Sequence, residues 1–131
     1  MKLENIQDLV KSAMTYERQR VEVAGFNLSI ANVALDGQAV SSPLRQAAVP
    51  SQFWNYLDHP PIQTSVESGF REVHDPAHPL ADDRGMVRYP KVDTAREMAT
   101  LVSANRAYEA DIRAYNALRA MNLKAFDIGK Q

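Results

Sequence analysis

At about 100° of rotation per residue, Leu3, Ile6, Val10, Ala13, Met14, Val21, Ala24, Leu28 and Ala31 fall on one stripe. That periodicity predicts a helix from about Leu3 to Ala34. A second apolar set, Leu9, Tyr16, Val23, Phe26, Ile30 and Val33, falls on another side of it. One stripe suffices for a surface helix of a small monomer, so two stripes imply cover on two sides. Gly25 interrupts the pattern at a cost of about 1 kcal/mol against alanine, either to permit close packing or to mark a bend.

The other end of the chain repeats the theme. Met98, Leu101, Ala104, Tyr108, Ile112, Tyr115, Leu123 and Phe126 define one face of a second helix, from about Thr94 to Phe126. Asp93 or Thr94 supplies its N-cap, and Glu97, three residues after Thr94, completes a capping-box pattern. Gly129 is a stop signal. Arg119 interrupts the apolar face, while Val102, Leu118, Met121 and Ile128 fall outside it. Heptad regularity is imperfect, so a many-helix tube fits this pattern better than an isolated two-stranded coil. Leu3, Ile6, Val10, Val21 and Leu28 are expected to pack against Leu101, Tyr108, Ile112, Tyr115 and Phe126. If the helices run antiparallel, Glu17 and Arg119, the charges that break their stripes, are expected to pair.

All seven prolines lie between Pro43 and Pro90. Proline removes a donor and clashes inside helices, so the ends are free to be long helices and the middle is not. Short strands are predicted at Ile62–Val66, Gly69–Val73 and Met86–Tyr89, with turns at Asp36-Gly37 and Asp82–Gly85. Ser41-Ser42-Pro43 and His59-Pro60-Pro61 read as extended or loop segments. The expected fold is mainly α. Long N- and C-terminal helices pack as an antiparallel pair, and the irregular middle segment contains short β-strands. Residues 1–35 form the first assembly helix, 36–93 the middle segment and 94–131 the second helix, in one domain overall.

Charge refines this division. Residues 1–35 carry four positive and four negative side chains, residues 36–93 five and eight, and residues 94–131 six and four. The net charge of −1 and pI near 6.3 argue against nucleic acid or an anionic membrane as the main partner. The absence of cysteine removes disulfides, thiolate metal sites and thiol nucleophiles together. Glu4 and Asp8 interrupt what would be the apolar region of a secretory leader, so any export is expected to need no cleaved signal.

Candidate chemistry is sparse. His74, His78 and Asp82 bring metal-ligand types together, but Pro76 and Pro79 oppose the helix that would align an i,i+4 histidine pair. A rigid turn with solvated side chains is the alternative. His59 has no evident partner, no glycine-rich phosphate loop exists, and no serine sits in a nucleophile elbow. Phe53, Trp54 and Tyr56 beside Leu57 either anchor a loop or form an exposed recognition patch. No catalytic residue, cofactor, metal or small-molecule substrate is therefore expected. Self-assembly through the terminal helices is the stronger signal, with a helical adaptor or export chaperone as the competing reading.

Several motifs carry a resemblance. Val73-His74-Asp75-Pro76-Ala77-His78-Pro79-Leu80-Ala81-Asp82, continued by Gly85-Met86-Val87-Arg88-Tyr89-Pro90-Lys91-Val92-Asp93, resembles the signature of the bacterial flagellar basal-body rod proteins. The likeness is nearest to their proximal-rod C subunit. That signature has a DPxHPxAD segment, a glycine turn and a short strand ending in proline before the C-terminal helix. Asp75, Pro76, His78, Pro79, Asp82, Gly85 and Pro90 match it. Glu97-Met98, Ser103–Tyr108 and Lys124–Gly129 resemble the family's C-terminal helix. Ser29–Val33 matches the family's N-terminal element in part, and Lys91 and Asp111 stand where the family often has asparagine.

The resemblance implies a structural, non-enzymatic subunit of the bacterial flagellum. It implies export through the flagellar type III apparatus and helical assembly into the periplasm-spanning, torque-transmitting shaft. Its implied partners are copies of itself, other rod subunits, the export apparatus and the membrane ring.

Overall fold

The computed structural model describes residues 3–37, 44–47, 62–63 and 69–128. Helix α1 spans Leu3–Ile30 and helix α2 spans Thr94–Ile128. Between them lie β1 (Gln46–Ala47), β2 (Ile62–Gln63), β3 (Phe70–His74) and β4 (Met86–Pro90). The candidate aromatic cluster Phe53–Leu57, His59–Pro61 and Ser41–Pro43 lie outside the described residues.

The helices are antiparallel, as expected. Asn27, near the end of α1, meets Glu97, near the start of α2, and Arg20 meets Ser103 one to two turns further along. Helix α1 stops four residues before the predicted Ala34. The Ala31 and Val33 N–H groups donate to the Leu28 and Ile30 carbonyls at 3.3 and 3.0 Å, tightening the last turn. Leu35 then donates its N–H to the Arg88 carbonyl at 2.8 Å, so pairing with β4 wins over the continuing apolar period. At α2 the cap is Asp93 rather than Thr94. Its Oδ1 accepts the Arg96 N–H at 3.0 Å and its carbonyl accepts the Glu97 N–H at 3.0 Å, satisfying donors that a helix start leaves free. Glu97 does not close a capping box; its carboxylate accepts from the Asn27 amide instead.

Strands β3 and β4 pair antiparallel, from Phe70 opposite Pro90 to His74 opposite Met86. The predicted 62–66 strand is described only as Ile62–Gln63, paired with Gln46–Ala47. Among the described residues the core sits where the middle segment meets the helix pair: Val23, Ala24, Ala31, Leu44, Val87 and Ala104 are buried. Both apolar sets on α1 contribute to it, Val23 from one and Ala24 and Ala31 from the other. A Cβ at Gly25 would meet nothing within 4 Å, so that glycine answers to no close approach.

Asn27, 2% exposed, joins the three parts of the fold. Its Nδ2 donates to the Arg45 carbonyl at 2.8 Å and to Glu97 Oε1 at 3.3 Å, and its Oδ1 accepts the Arg45 N–H at 2.9 Å. The Arg45 guanidinium lies over the Phe26 ring at 3.8 Å, a cation–π contact that adds to the clasp. Asn27→Ala orphans both Arg45 backbone groups, so it is expected to cost about 1–3 kcal/mol in urea unfolding. Hydrogen exchange should show the Arg45 amide losing protection first.

Candidate functional site

The family-like residues of the middle segment converge on the β3–β4 connection. Asp82 Oδ1 accepts the Arg84 and Met86 N–H groups at 2.9 and 2.8 Å, and the Asp82 N–H donates to the Met86 carbonyl at 2.9 Å. The Met86 N–H above all holds the Asp82 carboxyl below its ordinary value; burial opposes it, and the Arg84 N–H and guanidinium add to the lowering. Asp75 donates its N–H to the Gly85 carbonyl at 2.9 Å and accepts the His78 N–H at 3.2 Å. His78 Nδ1 accepts the Leu80 N–H at 3.1 Å. Pro79, next to it, is exposed. Pro90 closes β4 and is almost completely buried.

Gly85 has φ +74, and a Cβ there would stand 3.0 Å from Pro76 Cγ and 3.2 Å from the His74 ring. This is a left-handed turn that only glycine enters without strain. Asp82 and His78 thus spend their acceptors on the backbone of the turn. Among the described residues no group of three histidine or carboxylate side chains is placed to hold a metal ion.

The helices present a different kind of surface. Val10, Ala13, Glu17, Arg20, Ala24 and Asn27 of α1, with Ala31 just after it, follow a three-four spacing towards α2, and none is exposed. Glu97, Leu101, Ala104, Tyr108, Asp111, Tyr115 and Leu118 do the same on α2. A heptad-like seam is therefore present, contrary to the irregularity expected from apolar residues alone, because polar residues occupy several of its positions. Glu17 pairs with Arg20 at 2.8 Å, and Arg20 also donates to Ser103 Oγ at 3.3 Å. The expected Glu17–Arg119 pair does not form. This register sets Glu17 beside Ala107, and Arg119 lies about three turns further along α2.

Other expected packing residues divide between the seam and the surface. Ile6, Val21, Leu28 and Ile112 are half-buried, as are Leu101, Tyr108 and Tyr115 of the seam; the Leu3 side chain lies outside those described. Met98 and Phe126 are exposed, the latter at 71%. Ala104 is the one residue of α2 that is buried.

Two features follow from the seam. Alanines at 13, 107 and 110 leave a groove of about 510 Å³ between the helices. Leu9, Val10, Tyr16 and Glu17 form one wall and Asp111 sits on the other. Burial pushes the Asp111 carboxyl above its ordinary value. Second, α1 has 28 residues and α2 has 35, and the Asn27–Glu97 contact aligns the end of α1 with the start of α2. The excess, about two turns or 10 Å, therefore projects past Leu3. Leu123, Phe126 and Ile128 lie on that projection, with Met121 at its base, and all four are exposed.

The end of the turn, β4 and the second helix match a known family. The family model described as the C-terminal part of flagellar basal body rod FlgEFG proteins matches residues 83–128. The flagellar basal-body rod protein FlgC of Salmonella typhimurium is 34% identical over 99% of this chain and 100% of its own length. The chain belongs to the FlgC family of flagellar basal-body rod proteins. FlgC of Aquifex aeolicus is 28% identical over 99% of each chain, and FlgC of Bacillus subtilis is 46% identical over 51% of this chain and 45% of its own. In this FlgC family member, residues 75–85 build the turn that joins β3 to β4, while the helices hold the uncovered apolar surface.

Gly85→Ala is expected to cost about 1–2 kcal/mol from the left-handed backbone alone, more if Pro76 cannot move, as read by thermal unfolding. The lowered Asp82 value means its support of the turn is present above the ordinary carboxylate value. That support fades as pH falls through the lower folded-state value, so the protection factors of the Arg84 and Met86 amides, each rate taken relative to its intrinsic value at that pH, should fall in acid, and Asp82→Asn should abolish the change.

Asp111 has the opposite sign. The folded chain holds its proton to higher pH than the unfolded chain, so stability is greatest below the ordinary carboxylate value and declines as pH rises through the raised one. Asp111→Asn should raise Tm at neutral pH by about 1–3 °C and leave it unchanged in acid.

Proposed function

We propose that this chain is a structural subunit of the proximal part of the flagellar basal-body rod. It packs α1 and α2 against copies of itself and other rod subunits to build a torque-transmitting shaft around the export channel. Family membership supports this reading. The observation that carries it is the inversion of burial on α2, where Met98, Val102, Met121, Leu123, Phe126 and Ile128 are exposed while Ala104 is buried. Large exposed apolar patches mark interaction surfaces. A helix apolar on several sides is one that its neighbours bury.

The mechanical role follows from the same surface. Burial contributes about 25 cal/mol per Å², and contacts repeated over several neighbours resist bending and twisting together. The seam between α1 and α2 carries polar residues at several positions, so the subunit's stiffness is acquired on assembly. On this reading the chain passes through the flagellar export apparatus, meets the membrane ring and works in the periplasm-spanning basal body. It performs no catalysis. Neither the adaptor nor the metal-enzyme reading is favoured.

Deletion of the gene, followed by electron microscopy of purified basal bodies, tests the proposal. Rods that stop at the membrane ring, restored by the gene in trans, are expected. Complete hook–basal bodies in the deletion strain would contradict it.

A further inference from the structure

The apolar projection and the acidic groove complement each other in charge, polarity and length. Arg119, Leu123 and Phe126 stand at i, i+4 and i+7 and so share one face of α2. All three are exposed, and Arg119 has no ion-pair or hydrogen-bond partner among the described residues. The stretch from Arg119 to Phe126 spans about 10 Å of helix. The groove runs from Leu9 to Glu17, about 12 Å of helix. Its polar groups are the Tyr16 hydroxyl, Glu17, which Arg20 already engages, and Asp111, which has no hydrogen-bond or ion-pair partner among the described residues; the rest of the wall is apolar.

A carboxylate on an apolar groove is costly to desolvate unless a cation meets it. A guanidinium amid leucine and phenylalanine is the matching half, since arginine is the cation best suited to a partly buried pair. Within one chain the two halves cannot meet, because Asp111 and Arg119 lie eight residues, about 12 Å, apart on the same straight element.

We propose that the Arg119, Leu123 and Phe126 face of α2 docks into the groove between α1 and α2 of a second copy of this chain, with Arg119 of one copy pairing with Asp111 of the other. The contact is heterologous: each copy offers a groove to one neighbour and a projection to the next. Such contacts propagate as rings or helices rather than closing as two-fold dimers. The proposal rests on the rod-subunit reading and adds which surfaces of like copies meet.

The chain has no cysteine, so an engineered pair reports on this contact alone. Cells carrying Ala110→Cys with Leu123→Cys are oxidised, and their basal bodies are run on non-reducing gels and analysed by mass spectrometry. A disulfide joining Cys at 110 of one copy to Cys at 123 of another is expected. Rods without that link, or with position 110 linked to a different subunit, would overturn the proposal while leaving the rod assignment intact.

Charge exchange is the second arm and does not depend on the cysteine variant assembling. Asp111→Arg and Arg119→Asp should each reduce rods per cell about tenfold, the change expected from isolating one member of a desolvated charge pair. The double exchange should return the count to within about twofold. A double variant no better than either single one also overturns the pairing.

Discussion

Asn27 occupies a position on the helix–helix seam that a simple two-helix packing would fill with leucine. Its amide instead joins α1 to the Arg45 backbone of the middle segment and to Glu97 of α2. A buried amide of this kind sacrifices apolar burial and gains register, because any slip of one helix past the other leaves its donors and acceptors unpaired. The rest of the structure depends on that register. It aligns the end of α1 with the start of α2, so the seven extra residues of α2 emerge at one end only. It also sets Arg20 against Ser103 and opens the alanine-lined groove beside Asp111.

A seam built this way is specific but weak. Alanines, an asparagine, an arginine and carboxylates occupy positions where leucines would bury more area, and among the described residues few large side chains are buried. Weakness within the protomer and apolar excess on its surface are linked: Met98, Val102, Met121, Leu123, Phe126 and Ile128 of α2 lie off the seam and are exposed. They are then available for contacts between chains. Partitioned so, a subunit orders its own register with polar contacts and reserves most of its hydrophobic free energy for assembly. Polar seams of this type also disfavour the helix pair as a self-sufficient monomer, which suits a chain whose proposed role begins only on assembly.

Much of this was legible in the sequence. Proline confinement to residues 43–90 and the two terminal periodicities were enough for two long antiparallel helices around an irregular middle. The glycine and aspartate of Asp82–Gly85 were enough for the turn. The seam was not legible, because its pattern is regular only when Glu17, Arg20, Asn27, Glu97 and Asp111 are counted as interior, and polarity argues against counting them. For the same reason Arg119 looked like the partner of Glu17, when a nearer cation three residues along the same helix already held it. The end of α1 was misjudged because Ala31, Val33 and Ala34 continue a helical period that pairing of Leu35 with Arg88 overrides. The family motif was legible as a pattern, but only the geometry shows that Asp82, Gly85 and Pro76 act together as a turn.

The central claim is that the projecting end of α2 is uncovered in the single chain and covered by its neighbours. Residue-resolved hydrogen exchange of the dilute protein and of purified basal bodies tests it most directly. The account expects amides at 122–128 to exchange as in an isolated helix in the dilute protein, well before those flanking Asn27 and Ala104, and to become strongly protected in the rod. Equal, slow exchange over the whole of α2 in the dilute protein, unchanged on assembly, would contradict it.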